Sequence, residues 1–376
     1  MTKKVLLVAN KNKLGGAESC MLNIGSKLSD FGWQPYYFIP GQGEVSDAAL
    51  KQANRNQCII TNKAINFYTL STLESFMLLS TLLYFLLKLR PNIVYCHSSV
   101  AARSFTPLCK LLNIKVVCHV HCKVDEQAIA WQFNHHPTPC FFFYPSASTL
   151  SENHPIYERV AKTSLPSKVV FNGIQDIANK TPTKTQHSNA VKLGYLANFE
   201  AIKGHENLLK TLRLLLDKGL PTELHLFGED KRNENRQATL EALINELELQ
   251  HHVHFHGFVK NTSLALEQID IYICPSLQEE MPISIIEAFR SALPVVSTNV
   301  GGISEMIVNE ENGFLFEPGD NATAADLLAP LVEHSAFRQH IGDNARQQFL
   351  KHFQLSVMVK SIVDELDNIS GTKHND

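Results

Sequence analysis

The chain has 376 residues, more than one hydrophobic core usually serves, so two domains are expected. With 44% hydrophobic and 19% charged residues, its composition is that of a globular protein and excludes a disordered one. A formal net charge of -3 lacks the basic surplus of a nucleic-acid footprint, so no nucleic-acid partner is expected.

In chain order, Val5 to Ala9 is an apolar run too short for a secretory signal and reads as a first buried strand. Gly15-Gly16 then turns the chain into an amphipathic helix from about Ala17 to Phe31. Further strands are expected at Tyr36 to Ile39, Cys58 to Thr61, Ile93 to His97, Val116 to Val120 and Phe141 to Ser146, with Val169 to Ile174 finishing the unit. The most apolar stretch, Phe76 to Leu89, has fourteen residues. A helix needs roughly 20 to span about 30 Å of hydrocarbon. It reads as a helix packed on the sheet, with a helix resting on a membrane surface as the alternative.

Residues 176–189 are polar and aperiodic and read as a linker. A second series follows, with strands near Lys192 to Leu196, Glu223 to Phe227, Val253 to Phe255, Ile271 to Cys274 and Pro294 to Ser297, and a helix from about Glu234 to Leu249. Alternation of short strands and helices predicts an α/β fold of two doubly wound, Rossmann-like parallel sheets. The expected domains are 1–178 and 190–352, with a last helix within 353–376 packing back on the first. Ligands of such sheets sit beyond the carboxyl ends of the strands. His97 and His121 fall at such ends, and Gly15, Asn198, Phe258, Glu279 and Gly301 lie just after them.

Seven of the eight cysteines precede residue 150, without the spacing of a disulfide framework, and read as reduced thiols of a cytoplasmic protein. Cys118-His119-Val120-His121-Cys122 looks like a metal cluster. Side chains alternate on a strand, however, so the histidines share one face and the cysteines the other, and one ion could not collect all four. The histidines at 251, 252, 254 and 256 lie along a strand edge and are expected to bind nothing.

The most informative segment is SLQEEMPISIIEAFRSALPVVSTNVGGISE, residues 276–305. Pro282 suits the first position of a helix, where its missing N–H is not needed. The free N–H groups near Ile283 and Ser284 then favour an anion such as phosphate. Glu279 lies just before this helix and Glu287 inside it, so the two acids can meet different parts of one ligand. One segment supplies both, which lacks the opposed geometry of a glycosidase pair. Gly15 and Gly16 would let backbone approach a phosphate, having no side chain and tolerating positive φ. No G-x-G-x-x-G follows the first strand, which argues against a dinucleotide dehydrogenase.

Together with Gly15-Gly16-Ala17-Glu18, Asn172-Gly173-Ile174, Ala197-Asn198-Phe199, Lys203-Gly204-His205, Gly257-Phe258-Val259 and Asn312-Gly313-Phe314, the segment resembles the retaining GT-B glycosyltransferases of family 4 over nearly the whole chain. The resemblance implies two Rossmann-like domains facing across a cleft. It implies that Glu279 touches the transferred sugar, Glu287 the ribose hydroxyls, Lys203 the diphosphate, and the backbone of Phe258 and Val259 the base. His121, with His119 as its competitor, would face the sugar, and His97 would line the acceptor pocket. Glu18 is either an acceptor-side contact or a complement to the helix dipole. Asn198 stands where many members have arginine, which implies weaker diphosphate binding unless Lys11 or Lys13 compensates. Glu280 stands where relatives mostly have glycine.

The implied activity is retaining transfer from a nucleotide-sugar, UDP-linked rather than GDP-mannose, to a saccharide or lipid-linked saccharide. No cofactor and no metal are expected, since no Asp-x-Asp motif stands at a strand end. Location would be the cytoplasm, with room for peripheral contact at the inner membrane face. The alternatives are a GT-B-like nucleotide-sugar epimerase or hydrolase, and a non-catalytic nucleotide-sugar-binding partner subunit.

Overall fold

The structure is a computed structural model that describes residues 2–67, 69, 72–177, 190–231 and 234–371. The chain divides into two compact units, Met1–Gln175 with Leu355–Asp376, and Asp176–Gln354. From residue 178 on, the expected linker lies outside the described residues, as does 372–376 of the expected last helix.

The first unit is built on seven strands: β1 Lys3–Val8, β2 Trp33–Ile39, β3 Cys58–Ile60, β4 Ile93–Cys96, β5 Lys115–His119, β6 Phe141–Tyr144 and β7 Ser167–Val169. Their order is β3-β2-β1-β4-β5-β6-β7. Every pairing is parallel, as right-handed strand–helix crossovers require. Both sheet faces are buried, and β1 shows how. Val5, Leu7 and Ala9 join one core with Cys20, Met21 and Ile24 of helix Gly16–Lys27 and with Met358, Ile362 and Leu366 of the last helix. Leu6 and Val8 point the other way and pack with Leu78, Leu82 and Leu86.

Those three leucines, spaced by four, form the inner stripe of helix Thr72–Leu89. The helix has 18 residues, longer than the fourteen-residue apolar run suggested, and it packs on the sheet. Its outer side nonetheless leaves Met77, Tyr84 and Leu87 exposed. Among the described residues no helix is long and apolar enough to cross a membrane.

The last helix, Leu355–Ser370, belongs to the first unit. Lys3 Nζ and Trp33 Nε1 both donate to Asp367 Oδ1, at 2.7 and 2.8 Å, and Lys168 Nζ pairs with Glu365 Oε1 at 2.9 Å.

The second unit has six parallel strands: β8 Val191–Leu196, β9 Thr222–Phe227, β10 Val253–Phe255, β11 Ile271–Cys274, β12 Val295–Thr298 and β13 Gly313–Phe316, in the order β10-β9-β8-β11-β12-β13. Strand β13 was not anticipated, because its four residues look like part of a loop motif. The seventh strand of the first unit was expected over Val169 to Ile174 but ends at Val169, where its pairing with Tyr144 ends. The helix expected over 234–249 is shorter, Arg236–Glu246, because Asn235 and Glu248 both take left-handed backbone (φ 54° and 57°) and mark its ends.

Candidate active site

In the second sheet the chain order reverses between β8 and β11, which are neighbours. The loop after β8 carries Asn198 and then a tight turn, Ala201–Lys203. The loop after β11 carries Ser276 and Glu279. The structure brings them together: Lys203 Nζ lies 2.6 Å from Glu279 Oε1. Ser276 Oγ donates to the same oxygen at 2.8 Å and also lies 2.8 Å from the Tyr195 hydroxyl. Tyr195 in turn donates to the Lys203 carbonyl at 3.0 Å, so the buried end of β8 holds the turn that presents the lysine. The bonds that Glu279 accepts from Lys203 and Ser276 both end on Oε1.

Two glycines make this geometry possible. Gly204 (φ 69°) follows the lysine, and a Cβ there would stand 2.1 Å from the Pro275 carbonyl oxygen. Gly301 (φ 53°) passes Glu279 so closely that a Cβ would fall 1.7 Å from that residue's carbonyl oxygen. Only glycine combines left-handed backbone with such an approach. The neighbouring Gly302 N–H donates to the Glu280 carbonyl at 2.8 Å, so the Gly-Gly pair seats the acidic turn.

Helix Ile283–Arg290 begins directly after this turn. Pro282 is its cap rather than its first residue, since its ψ of 121° is extended. Ile283 and Ser284 therefore open the helix, with the N–H groups that an α-helix leaves unbonded in its first turn. Glu287 is largely buried, and burial raises its carboxyl pKa; a hydrogen bond from Thr262 and the charge of Arg290 oppose that rise. Thr262 Oγ1 donates to Glu287 Oε1 at 2.5 Å, and Arg290 donates to Ser263 Oγ at 3.0 Å. Thr262 starts a short helix three residues after Val259, so the loop expected to meet the base and the acid expected to meet the ribose are tied together. Phe258 is exposed, and Lys231 Nζ lies 4.8 Å from its ring centre.

In the first unit, Gly15 caps helix Gly16–Lys27. Its backbone is extended (φ -144°), and neither Gly15 nor Gly16 takes positive φ. The need is for space instead. A Cβ on Gly15 would stand 3.0 Å from Glu18 Oε2 and 3.3 Å from Lys11 Nζ, whereas one on Gly16 would meet nothing within 4 Å. Glu18 is buried in the first turn, where burial raises its pKa and the charge of Lys11 pulls it back. Both lysine and acid thus serve this turn.

The histidines after β4 and β5 form a ladder. His97 Nδ1 lies 3.2 Å from His121 Nε2, and the Tyr95 hydroxyl lies 3.1 Å from His119 Nδ1. The rings stack, His119 on His121 at 4.1 Å and Tyr95 on His97 at 4.7 Å. As the alternation predicted, His119 and His121 share a face and Cys118 packs on the other, among the residues around Leu6 and Val8. Cys20, on helix Gly16–Lys27, completes a group with the three histidines in which one potential ligand atom from each lies within 4.8 Å of the others. Burial lowers all three histidine pKa values, that of His121 to about 4, and raises the Cys20 thiol to about 12. The ladder is therefore a set of neutral imidazoles at neutral pH. His97 itself is buried and supports His121, where an acceptor-pocket lining had been expected.

Sequence reasoning passed over Tyr195, Ser276 and Thr262. Ser276 stands three residues before Glu279, within reach of its carboxylate, and was the one with a local signal.

Two units, each a parallel sheet within an α/β fold, are the architecture of the GT-B class. Residues 14–165 match the family model described as Glycosyltransferase Family 4, and residues 178–348 match Glycosyl transferases group 1. The chain belongs to the family 4 glycosyltransferases of GT-B fold. It is similar to the capsular polysaccharide biosynthesis glycosyltransferase CapM of Staphylococcus aureus, 26% identical over 48% of this chain and 46% of that protein. It is also similar to the N-acetyl-alpha-D-glucosaminyl L-malate synthase of Bacillus anthracis, 24% identical over 57% and 56%. The chain thus spans about half the length of these curated relatives. Among solved structures, Anabaena HepE in complex with UDP and glucose superposes with a TM-score of 0.78 over 97% of this chain and 99% of that one, at 18% identity.

Proposed function

We propose that the protein is a retaining glycosyltransferase that moves a hexose from a nucleotide-sugar, UDP-linked by preference, to a saccharide or lipid-linked saccharide in polysaccharide or glycolipid biosynthesis. The observation that carries this reading is the Lys203–Glu279 pair, 2.6 Å apart and placed immediately before the opening of helix Ile283–Arg290. Lys203 and the first-turn N–H groups of Ile283 and Ser284 bind the diphosphate and stabilise the charge that grows on the leaving oxygen. Glu279 orients the sugar through its carboxylate, and Glu287 accepts from the ribose hydroxyls. Neutral His121 donates or accepts one hydrogen bond on the sugar, its ring held by His97. Asn198 contributes a hydrogen bond but no charge, and the backbone of Phe258 and Val259 reads the base. Transfer proceeds by front-face displacement assisted by the leaving phosphate, without a metal. Solved HepE, which shares the fold, was crystallised with UDP and with UDP-glucose, and this supports a UDP-linked donor.

The test is a transfer assay with UDP-sugars and a lipid-linked or oligosaccharide acceptor, with a no-acceptor control. Product only when acceptor is present supports transfer. Conversion of the donor alone would instead establish the epimerase or hydrolase reading. Unchanged activity in cells for both Lys203→Ala and Glu279→Gln would favour the binding-subunit reading.

The exposed strip of Met77, Tyr84 and Leu87 supports a peripheral membrane contact, where a lipid-linked acceptor resides. A Met77→Ser/Leu87→Ser variant is expected to lose co-sedimentation with anionic liposomes at an unchanged melting temperature. Undiminished co-sedimentation would contradict the contact.

A further inference from the structure

Far along the second sheet from Glu279, at its β10 edge, three side chains gather that no step of transfer uses. His225 on β9 and His254 on β10 are register partners, and Glu223, two residues before His225, shares its face. Glu223 Oε2 lies 3.6 Å from His225 Nε2 and 3.8 Å from His254 Nε2, and one potential ligand atom from each residue lies within 4.8 Å of the others. His225 is more than nine-tenths buried, yet its Nε2 has no hydrogen-bond partner. Its other nitrogen, Nδ1, lies 2.9 Å from His256 Nε2, and the His256 ring stacks on Phe227 at 4.4 Å.

We infer that Glu223, His225 and His254 form a binding site for one divalent transition-metal ion, with zinc the best match to the ligand set. Two imidazoles and a carboxylate are the donors such an ion takes, with a fourth position left to water. Metal–ligand bonds of about 2.0–2.2 Å in a tetrahedron put ligand atoms roughly 3.4 Å apart. The observed 3.6 and 3.8 Å separations need to close by only a few tenths of an ångström. His256 supplies the orienting bond that a metal-bound histidine usually has: in the tautomer that a metal would select, Nδ1–H of His225 donates to it across 2.9 Å, which leaves the Nε2 lone pair for the ion. Glu223 and His254 are partly exposed, so an ion has a way in. The charge of Lys192, next to Glu223 across β8 and β9, works against the ion and sets a limit on affinity. Once bound, the metal would fasten edge strand β10 to β9.

The experiment is isothermal titration of zinc chloride into the full chain without an affinity tag, with His254→Ala and Glu223→Gln beside the wild type. His254 is exposed at the edge, so its variant should melt at the wild-type temperature in chelator. If it does not, Glu223→Gln takes its place as the reference. The expected result is one equivalent of zinc in the wild type that is lost, or weakened at least tenfold, in both variants. It should be accompanied by a zinc-dependent rise in melting temperature in the wild type alone. Wild-type stoichiometry and affinity retained in both variants would place the ion elsewhere and overturn the inference, as would no saturable binding by the wild type.

Discussion

The two units place polar chemistry beyond their switch-point strands in opposite ways. In the second unit the groups are charged and partly open: Lys203 and Glu279 face each other at 2.6 Å, supported by Ser276 and Tyr195. In the first, His97, His119 and His121 are stacked, and burial keeps them neutral. A diphosphate carries charge and needs a cation and N–H groups, which the second unit offers. The ladder of the first offers neutral, rigid hydrogen-bonding groups and no cation. The contrast follows from physical chemistry. A part-buried ion pair that a ligand can reach can exchange its partner for that ligand, whereas a buried imidazolium would be desolvated and opposed by its neighbours.

The largest effect expected is on catalysis. Lys203→Ala or Glu279→Gln should lower kcat by about 10²–10³, equivalent to roughly 3–4 kcal/mol, in a chain that still folds. Equal losses from His121→Ala and Lys203→Ala would blur the contrast between a charged and a neutral half.

Acid stability probes the ladder. The His121 pKa is 6.5 unfolded and about 4 folded. Between these values the unfolded chain binds the extra proton, so stability rises with pH across the window and is lost as pH falls below about 6.5. A shift of that size corresponds to about 3 kcal/mol by pH 4. His121→Asn should therefore flatten the acid limb of a chemical-denaturation series, and an unaltered limb would show that His121 is not held neutral by burial.

Glu287→Ala should raise the donor KM roughly tenfold to a hundredfold with a smaller change in kcat, as loss of a charged hydrogen bond worth about 1.5–3 kcal/mol predicts. The smallest effect expected is a gain. Asn198→Arg should tighten UDP binding by a few-fold through a charge-assisted bond, and weaker binding would mean that the existing cations already fill that role.

The donor-side reading was largely legible because its key residues are local. Glu279, Pro282 and Glu287 lie within one short segment, and helical spacing alone orders them. What joins Glu279 to Lys203 is not local: the two lie 76 positions apart and meet because β8 and β11 are neighbours in the sheet. Tyr195 was invisible for the same reason, since its link to Ser276 spans 81 positions. Strand alternation correctly put His119 and His121 on one face. It could not add His97, whose place depends on β4 pairing with β5 so that Cys96 lies opposite Cys118. Gly15 and Gly16 look alike in sequence, yet only Gly15 is short of space, because Glu18 and Lys11 fold back on it. The cluster of Glu223, His225 and His254 at the second sheet's edge was hidden by its composition: His254, on β10, belongs to a histidine run, but its partners come from β9.

The central claim is that Lys203 and the opening of helix Ile283–Arg290 grip a nucleoside diphosphate. Isothermal titration of UDP into the wild type and into Lys203→Ala tests it most directly. The account predicts saturable one-to-one binding by the wild type and binding at least tenfold weaker in the variant. Equal affinity in both, or no binding of UDP, GDP, ADP or TDP by the wild type, would contradict it.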